Sequence, residues 1–468
     1  MVVNYSHNVV IFLNSAFYSK SLTQVIKPLI ANQSTVIYLF NIGNQEKIDL
    51  SLFQEMPNVA IEEITSQFVP PTLTEDTLII DALFGFENKE PLSGGFAAVA
   101  RLINSSESTV ISIGAPSGLL AEDNTNNNIN QIVKADYTLI YQKAPLACYF
   151  DENQQFLGQW SVLPIGDATL ENDWRFITEL DILDKLKPRK RFCHKGSFGH
   201  GLLIASSFGM AGSAILGAKA ALKSGLGLLT IHAPLSNITA LQTSVPEAIL
   251  DADDNEFCYS QLIDTSFYQG VAVGPGLGMS EESAEAFKLL ISQNTESKTP
   301  LIIDADGLNI LANHSQLQNQ IQGAILTPHV GEVERLIGKC NNSYIRLRRT
   351  IDFAKKTQTY IILKGAYSYL IHPDGSFRVN PTGNEGLATA GSGDVLTGIL
   401  LGLRTQGYNQ EDAIMLGTYV HGLAADLAVE ETGTISMTAQ DIIEYLPQAW
   451  KSLLEKAPSN GFKAFTQE

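Results

Sequence analysis

A chain of 468 residues with 49 acidic against 31 basic side chains carries a formal net charge of −18 and a pI near 4.9. That balance excludes a phosphate-backbone binder, which needs a broad basic face, so no nucleic-acid partner is expected. Hydrophobic residues make up 44% and charged residues 17%, enough for sizeable cores in two or three domains and unlike a disordered chain. The four cysteines (Cys148, Cys193, Cys258, Cys340) lie far apart with no CxxC pair. That spacing gives neither a disulfide framework nor a zinc knuckle and points to a reducing compartment. The start, MVVNYSHNVVIFL, lacks the build of a secretory signal, and no run of about 18 apolar residues occurs. A cytoplasmic location with no membrane partner is therefore expected.

In chain order, the apolar runs at 8–13, 35–40, 77–83, 109–113 and 137–141 read as buried strands. Helical patterns at 20–31 and 94–104 lie between them, and 121–130 is a polar surface loop. Alternation of this kind implies a parallel sheet with helices on both faces. The segment 166–188 turns acidic, then basic, and carries Pro188, so we expect a first domain over 1–168, a linker over 169–188 and a second domain over 189–460. The second part repeats the α/β theme. Strands are expected at 201–205, 227–231, 270–273, 300–304, 323–326, 360–363 and 368–371, with an Ala-rich helix at 211–224. An apolar helix begins near Asp394, and its Gly398 and Gly402 suit close packing.

Six segments of the second part carry candidate chemistry. In Gly386-Leu-Ala-Thr-Ala-Gly391-Ser392-Gly393-Asp394, glycines and a serine precede a helix, an arrangement that turns backbone N–H groups toward one anion. Asp394 beside bound phosphates suits a general base for a hydroxyl that attacks phosphorus; alone, it would be an ordinary first-turn aspartate. Lys364-Gly365-Ala366-Tyr367-Ser368, between two strands, fits either a nucleotide contact or a plain hairpin turn. Thr327-Pro-His329-Val-Gly-Glu332 follows a strand, where ligands bind in open α/β sheets, or is a helix start capped by Thr327. Gly274-Pro-Gly276-Leu-Gly278 lets a ligand approach backbone closely, or is a simple turn. Asp304, Asp306 and Asn309 could orient Mg²⁺ through water, or Asp306 could cap a helix. The run Lys187 to Lys195, with His194-Lys-Gly196-Ser-Phe-Gly199, would meet an anion or form a solvated face.

Together, HKGSFGHGLLIA, AGSAILGAKAALKSGLGLLT, GPGLG, DADGLN, TPHVGEVERL, LKG and AGSGDVLTG resemble the ADP/ATP-dependent NAD(P)H-hydrate dehydratases over about residues 185–455. That family implies a ribokinase-like fold. The first part resembles the NAD(P)H-hydrate epimerase domain of bifunctional repair enzymes, on Asp81-Ala-Leu-Phe-Gly85, Pro91-Leu-Ser-Gly, Pro116-Ser117-Gly118 and Lys143. The expected architecture is thus two tandem α/β domains, a Rossmann-like three-layer domain and a ribokinase-like one.

The resemblance implies a substrate hydrated at C6 of the nicotinamide ring, NADHX or NADPHX, with ADP or ATP as co-substrate and Mg²⁺. Asp394 would take the hydroxyl proton. Ser213 or Ala214, with Gly278, His329 and Asp394, would contact the hydrate. The family commonly has Ala where this chain has Ser213. Lys364, Gly365, Ala366, Tyr367, Ser368, Gly391, Ser392 and Gly393 would lie along the nucleotide. A homo-oligomer, for example a tetramer, is the family expectation too. The alternative is a ribokinase-like ATP-dependent small-molecule kinase, which would release a stable phosphorylated product.

The first domain departs from its family. Working epimerases begin with a helical stretch, which is expected to be absent here because the first strand starts by about residue 8. The phosphate loop reads Asn14-Ser-Ala-Phe17-Tyr18-Ser-Lys20 with no glycine, and Gly114 stands where a catalytic aspartate belongs. Asp81 and Ser117 survive from a K⁺ site. The expectation is a domain without epimerase activity.

Overall fold

The computed structural model describes residues 8–15, 20–31, 33–41, 53, 56–85, 88–141, 143–163 and 174–457. It divides into one unit running to Glu171, joined by Asn341–Ile345, and a second unit made of the rest.

The first unit holds a seven-stranded sheet: β1 (Val9–Asn14), β2 (Thr35–Phe40), β3 (Val59–Glu63), β4 (Leu78–Ala82), β5 (Thr109–Ile113), β6 (Tyr137–Tyr141) and β7 (Gln159–Leu163). The order is β3-β2-β1-β4-β5-β6-β7, parallel throughout. Side chains alternate across β1, and the two faces bury separate cores. Val9, Ile11 and Leu13 meet Leu22, Ile26 and Ile30 of helix Lys20–Ile30. Val10 and Phe12 meet Ala97, Ala100 and Ile103 of helix Gly94–Asn104. This is the three-layer arrangement the apolar runs imply. The edge strands β3 and β7 went unpredicted because their half-exposed sequences, VAIEE and QWSVL, hold no continuous apolar run.

The second unit holds ten strands: β8 (Trp174–Phe176), β9 (His200–Ile204), β10 (Leu228–Pro234), β11 (Ile249–Asp253), β12 (Gly270–Val273), β13 (Leu301–Ile303), β14 (Ile325–Leu326), β15 (Tyr360–Leu363), β16 (Tyr369–Ile371) and β17 (Phe377–Val379). They are ordered β11-β10-β9-β12-β13-β14-β15-β16-β17-β8. From β11 to β15 every pairing is parallel, so seven C-terminal ends share one edge; β16 and β17 return antiparallel.

The described part of the expected linker is not a linker. Trp174 stacks on Phe377, ring centroids 6.1 Å apart, and β8 pairs with β17. Helix Glu179–Leu183 follows, started by a Thr178–Asp181 capping box. The basic run also has structural work. Lys187 Nζ sits 4.2 Å from the Tyr408 ring centre and donates to Gly407 O. Arg189 lies over Phe198 and donates to Gly225 O.

Helices Ala211–Lys223 and Ser392–Thr405 touch backbone to backbone. A Cβ on Gly398 would lie 2.0 Å from Gly217 O, and one on Gly402 2.9 Å from Ser224 Cβ. Glycine at 398 is thus obligatory for this crossing, as its place in the apolar helix implied. With helices Gln410–Ser436 and Ala439–Lys456 they share the largest apolar core. No described helix is long and apolar enough to cross a membrane.

Candidate active site

The shared edge of the parallel strands collects the predicted residues. After β12 comes Gly278, after β13 Asp304 and Asp306, after β14 His329, after β15 Lys364. Ligands bind at this place in open α/β sheets. The close helix crossing brings Ser213, near the start of Ala211–Lys223, to the first turn of Ser392–Thr405, near enough to Asp394 for its hydroxyl to favour the ionised carboxylate.

Gly391, with φ +86°, caps the latter helix. A Cβ there would come within 2.4 Å of Leu216 Cδ1, so glycine is required on both counts. The first-turn N–H groups beyond it have no intrahelical partner and carry the positive end of the helix dipole. A Cβ on Gly393 would stand 3.1 Å from Lys364 Nζ, which places this cation against the same turn. Lys364 Nζ reaches Asp304 Oδ1 at 3.2 Å, and Thr397 Oγ1 donates to Asp304 Oδ2 at 2.7 Å. Burial alone would depress the Lys364 ammonium, but Asp304, Glu332 and Asp394 together hold it above its ordinary range. The Asp394 carboxyl is pushed up to about 6, first by burial and then by the Asp304 charge, against the lowering by Ser213 and Lys364.

His329 caps helix Val330–Ile337 through Nδ1, which accepts from the N–H of Gly331 at 2.9 Å. Nδ1 is thereby the unprotonated nitrogen of the neutral ring, and Nε2–H is presented 3.4 Å from Glu332 Oε1. Glu332 closes the capping box onto His329 N–H at 2.8 Å. The expected cap, Thr327, is corrected: it is fully buried with no partner for its hydroxyl, because the chain enters this helix two residues later. Capping by Asp306 is corrected as well. Asp304 holds the N-cap position, while Asp306 Oδ2 accepts from Gly278 N–H at 2.9 Å and so joins two of the site's loops.

Ala214 is fully buried in the helix core, whereas Ser213 faces Asp394. Gly365, Ala366, Tyr367 and Ser368 form the hairpin turn between β15 and β16, with Gly365 and Ala366 exposed; Lys364 alone of the five is placed among the carboxylates.

Sequence reading missed the clamp behind the loop that leads into helix Ser392–Thr405. His421 Nε2 bonds Ser392 O at 3.0 Å. Thr382 Oγ1 donates to Tyr419 O at 2.9 Å, and Asp426 accepts from Gly383 N–H at 2.9 Å. One helix therefore holds the loop at both ends. The sequence signal was His421 and Asp426, polar within the mostly apolar, Gly/Ala-rich middle of that helix, 413–429.

In the first unit, β1, β4 and β5 end at the point where strand order reverses, the place for a ligand. Asp81 is fully buried there. It accepts from Ser117 Oγ at 2.5 Å, Ser117 N–H at 2.8 Å and Ser112 Oγ at 2.8 Å. Burial raises its carboxyl despite these donors. Phe17 and Tyr18 lie outside the described residues. Among those described, no three His, Cys, Asp or Glu side chains gather as a ready-made metal cage.

Comparison with known proteins places these features. Residues 201–448 match the family model described as NAD(P)H-hydrate dehydratase, and 32–146 that of the YjeF-related protein N-terminus. A bifunctional NAD(P)H-hydrate repair enzyme of Thermofilum pendens is 33% identical over 84% of this chain and 77% of its own. The ADP-dependent (S)-NAD(P)H-hydrate dehydratase of Bacillus subtilis is 33% identical over 59% of this chain and 98% of its own. A crystal structure of the ADP/ATP-dependent dehydratase from Bacillus subtilis, co-crystallised with ATP/Mg²⁺, has a TM-score of 0.52 at 31% identity, covering 60% of this chain and 98% of that one.

Proposed function

The chain belongs to the bifunctional NAD(P)H-hydrate repair enzymes, and on that premise we propose that its second domain dehydrates the S form of NADHX or NADPHX with ADP or ATP, while its first domain has lost epimerisation. The observation that supports this most is the position of Asp394, ionisable near neutrality, in the first turn of a helix whose N-terminus faces Lys364.

Hydroxide is a poor leaving group, so direct loss of water from the hydrate is slow. Asp394 takes the proton of the C6 hydroxyl. The oxygen then attacks the terminal phosphorus of the nucleotide, and the bond to the departing AMP or ADP oxygen breaks. The helix N–H groups and Lys364 hold the transferring phosphoryl group in place. In the phosphate ester so formed, the ring-nitrogen lone pair expels phosphate, and loss of a C5 proton restores the C5–C6 double bond. The products are NAD(P)H, AMP or ADP, and phosphate. Ser213, Gly278 and His329 border the hydrate; His329 offers its Nε2–H to an oxygen of it.

Mg²⁺ prefers oxygen ligands, keeps most of its waters and binds phosphates. The carboxylates Asp304 and Asp306 suit that pattern and would hold the ion through water; bound there, it would neutralise phosphate charge. K⁺ is a different case. The Asp81 oxygens already accept from the Ser117 hydroxyl, the Ser117 N–H, the Ser112 hydroxyl and the Leu83 N–H, which occupy the lone pairs a cation would need. This remnant does not fit the ion, and no step is assigned to it. The family's homo-oligomeric, cytoplasmic habit is carried over to this chain as part of the same proposal.

The test mixes the full chain with NADH hydrate containing both epimers, Mg²⁺ and ADP or ATP. Recovery of the reduced nicotinamide band at roughly 340 nm is followed, with free phosphate measured alongside. Nucleotide-dependent recovery that slows to spontaneous epimerisation once the S form is gone is expected. No recovery overturns the dehydratase; sustained fast recovery overturns loss of the epimerase.

A further inference from the structure

Beyond the reacting ring, the hydrate carries an adenosine half, and nothing described so far holds it. At the mouth of the site stand four exposed apolar side chains. Phe208 is 65% exposed, Phe257 54%, Met210 50% and Met279 49%. They are continuous with the catalytic residues. Ser213, beside Asp394, borders Gly276, as does Met210 Cβ. Ser207 Oγ donates to Gly276 O at 2.9 Å and adjoins Gly278. Phe208 is the next residue along.

The two phenyl rings meet edge to face, centroids 5.5 Å apart at 74°, and Phe208 N–H donates to Phe257 O at 2.8 Å. The loop bearing Phe257 is braced from below. Asp253, buried, accepts from Asn255 N–H at 2.8 Å, from Ser260 N–H at 2.7 Å and from Ser260 Oγ at 2.6 Å, and it lies 3.0 Å from His232 Nε2. Asn255 Oδ1 in turn accepts from Phe257 N–H at 2.8 Å. A ring held this firmly yet left open is preorganised to take a planar partner.

We propose that Phe208 and Phe257 form a stacking platform for the adenine ring of the dinucleotide hydrate. This rests on the dehydratase reading and extends it. Adenine also occurs in the nucleotide co-substrate, but strand order separates the two sources. Lys364 follows β15, at one end of the parallel run, while Phe257 follows β11, at the other. Ser213 and Gly278 lie between. A dinucleotide with its reacting ring at Asp394 and its phosphate acceptor toward β15 has its distal half over β9 to β11.

The experiment compares the hydrates of NADH and of reduced nicotinamide mononucleotide, which lacks the adenosine, in wild type and in Phe208→Ala/Phe257→Ala. Wild type is expected to favour the dinucleotide. The variant should lose about five- to a hundredfold of that preference through KM, as removal of a base-stacking aromatic does, with kcat and the KM for ADP unchanged. Phe208→Leu/Phe257→Leu retains volume without the rings and should behave alike if the alanines perturb folding. An unchanged preference overturns the platform, as does a rise confined to the KM for ADP. A changed sedimentation coefficient with unchanged preference also overturns it, by assigning the patch to a contact between copies. If wild type turns over neither hydrate, the dehydratase reading itself falls, and this proposal with it.

Discussion

His421 Nε2 lies 3.0 Å from the carbonyl oxygen of Ser392 and 3.3 Å from its Oγ. A carbonyl can only accept, so this nitrogen carries the proton and the ring serves as a donor to the first residue of helix Ser392–Thr405. The ring is buried, and burial, with Lys364 nearby, brings it down to about 4 from 6.5.

That depression makes stability depend on pH. Below 6.5 the unfolded chain takes a proton that the folded ring refuses. The stabilisation is complete above pH 6.5 and is lost as pH falls toward 4, a total of about 3 kcal/mol. Urea midpoints of wild type and His421→Gln, taken at pH 7 and pH 4.5, check this. The wild-type midpoint should fall further on acidification than the variant's. Parallel losses would remove His421 as the source.

Asp394 must be ionised to accept a proton, and its carboxyl sits at about 6. The kcat/KM profile should therefore fall tenfold per pH unit below about 6. Asp394→Asn should abolish turnover while changing ADP affinity by less than about tenfold. Ser213 stabilises the ionised form, so Ser213→Ala should move the acid limb to higher pH. A limb that stays in place would show that Ser213 does not tune the base.

Where each residue's role depends on local sequence, that role was readable. The apolar runs gave most strands, and Gly398 signalled the helix crossing because a short-range cue and the tertiary contact coincide. GSGD announced a glycine-capped helix start for the same reason. What stayed hidden depended on partners far along the chain. β8 is three residues whose strand character comes from pairing with β17 some 200 positions on. Ser392 is held by His421, and Gly278 by Asp306, through bonds that no periodicity records. Thr327 looked like the cap because Ser and Thr usually fill that place; here His329 fills it with a ring nitrogen.

Lys364 and Asp304 form a pair with most of its surface out of water. Removing only the cation leaves a buried carboxylate uncompensated, at a cost of about 3 kcal/mol. Lys364→Met should therefore lower the unfolding midpoint and weaken ADP binding by at least about tenfold. Adding Asp304→Asn removes the stranded charge and should recover much of the stability, but not the affinity. If the double variant binds ADP like wild type, Lys364 is only a structural cation.

Under the proposal that the first domain lacks epimerase activity, Gly114 tests whether one residue accounts for it. Its φ is +89°, in the region that favours glycine, and its N–H bonds Leu139 O at 2.8 Å, fixing that backbone at the end of β5. A non-glycine residue in the left-handed region costs about 1–2 kcal/mol. Gly114→Asp restores a carboxylate in name, but on a backbone that resists it and beside an Asp81 already occupied by Ser112 and Ser117. The variant should unfold at lower temperature and leave conversion of the R hydrate at the spontaneous rate, read from the slow phase of the dehydratase assay. A faster slow phase would mean that the missing carboxylate was the whole defect, and that the rest of the epimerase site is intact.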